Sequence, residues 1–366
     1  MNIGFLYMDL RILSSLEARM PWTLANRAMK RAGLDGSQGW DGARAKYSST
    51  DHPEAETFLI GLLRQHALCG EKMTKFYAVG DAVKAELLEA INGLSPADHA
   101  FAERYPLVMS EAELTEQTSE PVLVSVERTD DGVGAVFAQT IKLTSREQIP
   151  IGEVFNDPDT VRERYDEVIG LKFEAVQMFN IIWVPHHDGL VEVRTDFPRG
   201  MRQELAHEIQ SQFKAIANSL VEGSPLEQPI DLFPLISSIY ETVGEGTVVE
   251  LSFKTSTASI KNEKMRRTRL CLRDELYHKG GKDALGTRIE PFKVSIRWEF
   301  QHEGQAYQPE LTLAGTSRGQ QTAGGPEKGQ LVSGAVIKNC IGMVDYEHVK
   351  AKMVAHMPSD EGEAAS

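Results

Sequence analysis

WVPHHDGLVEVRTD, residues 183–196, decides how the middle of the chain folds. Two apolar runs meet in it. Phe179, Ile181 and Trp183 fall on one face of the first run, and Val191 and Val193 on one face of the second. Asp188–Gly189 between them is a favoured tight-turn pair, because both residues tolerate positive φ. The stretch is expected to form the tip of a β-hairpin. It also holds His186, His187, Asp188, Glu192 and Asp196, the residue types of a metal site. Neighbours in a strand point to opposite faces, so His186 and His187 do not readily share one ion, and zinc needs three or four convergent ligands. A turn is therefore the expectation, with no metal, cofactor or catalytic residue assigned.

Working outward, residues 122–143 read as a second hairpin interrupted at Asp131–Gly132. Residues 156–170 read as a short helix, with Asn156 or Asp157 as N-cap and Pro158 in its first turn. Leu205, Ile209, Phe213, Ile216 and Leu220 share one face of an amphipathic helix over 201–220. Before these hairpins the chain reads mostly helical, over 58–77 and over 81–94 with a stop at Asn92–Gly93, and residues 33–56 read as a loop. After them, alternation at Val249, Leu251 and Phe253, and again from Phe292 to Phe300, predicts half-buried strands. Residues 315–330 read as a flexible loop and 357–366 as an acidic tail without structure.

The pattern predicts an α+β fold. A helical domain is expected over 1–108, a domain of hairpins and one helix over 109–222, a β-rich domain over 230–357, and a disordered tail over 358–366. No run of apolar residues is long enough to span a membrane, and the first residues lack the pattern of a secretion signal. The three cysteines, Cys69, Cys271 and Cys340, are odd in number and far apart, which speaks against a disulfide framework. A cytoplasmic protein is expected.

Chemistry-bearing motifs are scarce. GGPEKGQ and HKGGKDALGT lack the spacing of a phosphate-binding P-loop, and no dinucleotide fingerprint or nucleophile elbow occurs. His66 and Cys69 stand one helical turn apart, a spacing at which an imidazole can activate a thiol; the simpler expectation is a buried cysteine beside a partly exposed histidine. His207 lacks the partner histidine of a zinc-protease motif, and Asp274–Glu275 is one carboxylate pair among many.

Charge is the anomaly. The net charge is −14, yet residues 254–297 carry 12 Lys and Arg against 5 Asp and Glu. Lys261, Lys264, Arg266, Arg267, Arg269, Arg273, Lys293 and Arg297 are the candidate phosphate ligands, since guanidinium forks suit phosphate oxygens. Three functions follow as expectations. The first is a nucleic-acid-associated binding protein of the cytoplasm, an accessory component of a larger prokaryotic complex, with DNA or RNA on the basic segment and a protein partner on the acidic remainder. The second is a scaffold or self-associating protein that pairs those cations with carboxylates. The third is a metal-dependent hydrolase or nuclease whose site, including His186 or His187, assembles only in three dimensions.

Overall fold

The structure, a computed structural model, describes residues 9–48, 52–150, 152, 157–266, 270–286, 288–302, 304–316 and 332–358. The fold is α+β. Four helices open it: α1 (Leu10–Arg19), α2 (Trp22–Arg31), α3 (Gly39–Tyr47) and α4 (Pro53–Cys69). They enclose a small core of Ile12, Leu16, Met29, Leu59 and Leu63. α3 falls where a loop is expected. Its glycines hide a helix because Ala43 and Tyr47, one turn apart, are both buried against that core.

α4 ends at Gly70, where a Cβ would meet the His66 ring at 2.7 Å. The chain then runs as strand β1 (Lys72–Ala78), not as the expected continuation of the helix. β1 is buried on both faces, and its two lysines interrupt the apolar alternation that marks a strand. Helix α5 (Asp81–Asn92) follows and stops at Gly93 as expected. After it come two short helices, α6 (Ala100–Arg104) and α7 (Glu111–Leu114), the latter closed by a Ser110–Glu113 capping box.

β2 (Val122–Arg128) and β3 (Gly132–Gln148) form the hairpin predicted over 122–143. β3 then pairs with β4 (Ile169–Pro185) along its whole length, from Gly132↔Pro185 to Gln148↔Ile169. The far half of this ribbon leaves the body and exposes Ile169, Leu171 and Phe173 on one face. The helix expected over 156–170 is only α8 (Pro158–Arg162), capped by Asp157; Asn156 lies outside the described residues.

The opening stretch is a hairpin tip. β4 leads through residues 186–189 into β5 (Leu190–Asp196). The turn is longer than the two-residue type, and Gly189 is not among the residues with positive φ. Its lack of a side chain serves close approach instead, since a Cβ would lie 3.0 Å from the Val79 carbonyl. Asp188 accepts the Leu190 amide at 2.9 Å and so closes the turn. His186 and His187 are exposed there, their ring centroids 6.3 Å apart.

The expected amphipathic helix is α9 (Gln203–Ser219), with Phe213 fully buried. Beyond it lie α10 (Phe233–Glu241), β6 (Thr247–Lys254), β7 (Ile260–Lys264) and α11 (Leu276–Leu285). Next come β8 (Glu290–Arg297), a small hairpin of β9 (Phe300–His302) and β10 (Gln305–Tyr307), then β11 (Glu310–Ala314), β12 (Ala335–Lys338) and helix α12 (Met343–Val354). The loop expected over 315–330 lies outside the described residues except for 315 and 316, and so does the tail beyond 358.

Ten strands make one antiparallel sheet in the order β2-β3-β4-β5-β1-β12-β11-β8-β6-β7. All three expected domain segments supply strands to it: β1 the first, β2 to β5 the second, β6 to β8, β11 and β12 the third. α5 and α9 pack on one face over Met73, Tyr77, Val191 and Val193. α4, α6, α10 and α12 pack on the other over Phe179, Ile181, Val294 and Leu311. No described helix is long and apolar enough to cross a membrane.

Candidate functional site

The basic segment is divided by strand geometry. β7 runs along an edge of the sheet, so Lys261 and Glu263 point to one face and Ile260, Asn262 and Lys264 to the other. On that second face Lys264 lies 2.8 Å from Glu250, and Lys293 of β8 binds the same carboxylate. Arg297 binds Glu310 at 2.6 Å, and Lys338 binds it at 3.0 Å. Lys264, Lys293 and Arg297 therefore share carboxylates of their own sheet. Arg273 sits in a 3₁₀ turn over Leu272–Asp274 and donates to the carbonyls of Ile239 at 2.7 Å, Tyr240 at 2.7 Å and Glu245 at 2.8 Å. It caps the C-terminal turn of α10, where carbonyls lack helical partners. Arg266 is exposed, and Arg267 and Arg269 lie outside the described residues.

Lys261 faces a cavity of about 260 Å³ between the β6–β7 turn and α11. Three hydroxyl residues of the turn line it: Thr255, Thr257 and Ser259. The turn is held tightly. The Thr255 amide donates to the Ser259 carbonyl at 2.9 Å, the Ser259 amide donates to Thr255 Oγ1 at 3.2 Å, and the Thr255 and Thr257 hydroxyls are 2.9 Å apart. Ala258 takes a left-handed φ of 60° to close it. Phe253, Leu285 and Ile289 give the cavity an apolar wall. From α11 come Tyr277, His278, Gly281 and Lys282.

A chain of hydrogen bonds fixes one side of the cavity. His278 Nδ1 lies 2.5 Å from Glu263 Oε2, and its Nε2 lies 2.8 Å from the Tyr240 hydroxyl. Burial pushes the Tyr240 hydroxyl up to about 12, so it stays protonated and donates to Nε2. Nδ1–H then donates to Glu263, which sets the tautomer. Lys282 Nζ donates to the Tyr240 oxygen at 3.4 Å and lies 5.1 Å from the centre of its ring. The exposed ammonium is thus anchored at its base and directed at the cavity.

α11 carries two adjacent glycines, Gly280 and Gly281, in its interior, although a Cβ on either would meet nothing within 4 Å. Packing does not demand them, and each destabilises the helix by about 0.5–1 kcal/mol relative to alanine. They leave helix backbone bare beside the cavity. Gly280→Ala is expected to raise the unfolding free energy by about 0.5–1 kcal/mol in urea titration; a destabilised variant would show that the backbone there is strained.

A second constellation lies inside the molecule. β5 turns Glu192, Arg194 and Asp196 to the face of the sheet under α4 and α12. Arg194 is fully buried; it donates to Glu192 at 2.8 Å and to the Leu68 carbonyl at 3.1 Å. Its guanidinium lies between the rings of Trp183, at 4.6 Å, and Tyr346, at 4.1 Å. Lys350 of α12 reaches Glu192 at 2.7 Å and Asp188 of the hairpin turn at 2.9 Å. Burial raises the Glu192 carboxyl, but Arg194 and Lys350 outweigh it and hold it at about 2. Asp196 behaves alike: burial raises it, and Arg19 and Lys72 bring it down to about 2. Burial lowers Lys72 to about 8 even with Asp196 at 2.6 Å. These charges satisfy one another in a closed interior and hold β1, β5, α1 and α12 in register.

His66 and Cys69 do not form an activated pair. Both are buried; Cys69 donates to the Gln65 carbonyl at 3.1 Å, and burial pushes its thiol up. His66, expected to be partly exposed, is enclosed, and burial followed by the Arg19 charge lowers it to about 4. All three cysteines are free thiols. Among the described residues no three His, Cys, Asp or Glu side chains converge to hold a metal ion.

Of the eight cations singled out in the sequence, Lys261 reaches the cavity, and Arg266 is exposed two residues beyond the end of β7. Lys282, the hydroxyls of the β6–β7 turn and Tyr277 fall outside that set. The sequence signal for them is a Ser/Thr-rich turn between two strands and the Gly-Gly-Lys run that follows it in α11. The chain matches no protein-family model, no curated protein and no solved structure.

Proposed function

We propose that the protein is a nucleic-acid-associated binding protein of the cytoplasm, an accessory component of a larger complex, that contacts phosphate at the corner formed by β7 and α11. The observation that carries this reading is the cavity at which Lys261, Lys282 and three turn hydroxyls meet, inside the one basic segment of an acidic chain. Ammonium groups and hydroxyls are the usual protein donors to phosphate oxygens. Arg266, followed closely in sequence by Arg267 and Arg269, adds to the positive charge of this segment. Lys264, Lys293, Arg297 and Arg273 have protein partners and play a smaller part.

The test is fluorescence anisotropy with short duplex DNA and single-stranded RNA over a range of salt. Affinity is expected to fall linearly on a log–log plot. Lys261→Glu combined with Lys282→Glu alters two exposed side chains and should leave the fold intact. The double variant should weaken binding roughly tenfold or more and reduce the salt slope by about 2, one for each phosphate that a lysine no longer neutralises. Absence of binding at low salt, or an unchanged double variant, would overturn the proposal.

A further inference from the structure

We infer that the cavity between the β6–β7 turn and α11 receives a phosphomonoester, the phosphorylated end of a single nucleic-acid strand. This rests on the nucleic-acid reading above and goes beyond it in saying which phosphate is held. The cavity measures about 260 Å³ and is walled on one side by Phe253, Leu285 and Ile289. A space of that size admits a phosphate with its sugar and excludes a duplex, whose grooves are about 6–12 Å wide between two backbones. Two ammonium groups, Lys261 and Lys282, line it. An internal phosphodiester carries one negative charge, whereas a phosphomonoester carries about −1.5 to −2 near neutral pH. The pair of lysines therefore matches a terminal phosphate better than a backbone one.

The remaining groups fit the same ligand. Thr255 is 5% exposed and His278 3%, so the polar lining is built into the wall and not merely draped over the surface. Glu263 is the one carboxylate lining the cavity, and its Oε2 is occupied by His278 Nδ1 at 2.5 Å. Gly281 leaves room for a phosphate to approach the backbone of α11, a role for which glycine is suited. At the rim Tyr277 is 76% exposed, which places an aromatic face where the terminal base would emerge. Base–aromatic stacking tolerates any base, so the site would read the end and not the sequence.

The experiment compares oligonucleotides of one sequence that carry a 5′-phosphate, a 3′-phosphate or hydroxyls at both ends, alongside adenosine monophosphate. Binding is measured at low salt and at a salt concentration that screens backbone contacts. One phosphorylated end is expected to bind roughly tenfold tighter than the hydroxyl-ended strand, and the preference should survive high salt better than the remaining affinity. Lys282→Ala and Lys261→Ala should each erase the preference while the hydroxyl-ended strand still binds at low salt. Tyr277→Ala should weaken the phosphorylated strand by roughly fivefold or more. Equal affinity for all three strands would overturn this inference and leave the broader reading standing. Binding of adenosine monophosphate, lost in Lys282→Ala, with no binding of any strand would assign the cavity to free nucleotides and overturn both.

Discussion

Replacing Arg194 with methionine is expected to lower the unfolding free energy by about 3–5 kcal/mol, the cost of leaving a buried charge without its partner. The guanidinium is fully enclosed and touches Glu192, the Leu68 carbonyl and the faces of Trp183 and Tyr346. Methionine fills part of the volume and none of the bonds. Glu192 would keep Lys350 and the Tyr346 hydroxyl, at 2.7 Å each, but lose its strongest neighbour. Glu347, which Arg194 also approaches at 3.5 Å, would face Glu192 with less compensation. Urea titration measures the loss directly. A change below about 1 kcal/mol would mean that water or a side-chain shift replaces the guanidinium with little penalty. Replacing Glu192, Arg194 and Lys350 together by apolar residues of similar size should recover much of the loss, because the desolvation cost then disappears with the charges.

Acid is expected to remove stability in two stages. His66 is held neutral by burial, with its folded value lowered to about 4 from 6.5. A folded value below the unfolded one means that the unfolded chain takes up the proton first, so this contribution is complete above pH 6.5 and is lost as pH falls toward 4. Glu192 and Asp196 have folded values of about 2 against ordinary values of 4.5 and 3.8. Their contribution is present above those ordinary values and is lost as pH falls toward 2. Each of the three groups is worth about 2–3 kcal/mol at neutral pH. Melting temperature followed by circular dichroism from pH 8 to pH 2 should decline gently below 6.5 and steeply below 4.5. Asp196→Asn should start from a lower melting temperature and show a shallower decline in the second stage. A melting temperature unchanged down to pH 3 would contradict the charged interior.

The parts of the fold legible in the sequence are those where a side chain's burial follows its polarity. The hairpin 122–143, the helix bearing Phe213 and the strand through Leu251 and Phe253 keep the alternation or helical spacing that burial imposes. β1 is hidden because Lys72, buried against Asp196, stands where a strand of the core should carry an apolar residue. The polar side of β5 is hidden for the same reason: Glu192, Arg194 and Asp196 look like a solvent face, and their partners Lys350, Lys72 and Arg19 are far away in the chain. The basic segment is visible as charge, but its division is not. Which lysine meets Glu250 and which meets the cavity depends on the register Glu250↔Lys264 and Phe253↔Lys261. The cavity itself requires α11 to fold back on β7, and a helix containing Gly280 and Gly281 gives little local indication of that.

The strand order has a consequence for how the chain comes to be made. β1 lies between β5 and β12, with Lys72 opposite Asp196 on one side and Ile337 on the other. As the polypeptide emerges during synthesis, β1 to β5 can assemble early, but one long side of β1 stays unpaired until residues 335–338 arrive. Through that interval the growing chain presents an open, apolar strand edge of the kind that recruits other chains. Because the contact that closes it joins distant parts of the sequence, the final zippering is slow by topology alone. Nascent fragments that stop short of β12 are the forms of this protein for which shielding by a chaperone matters most.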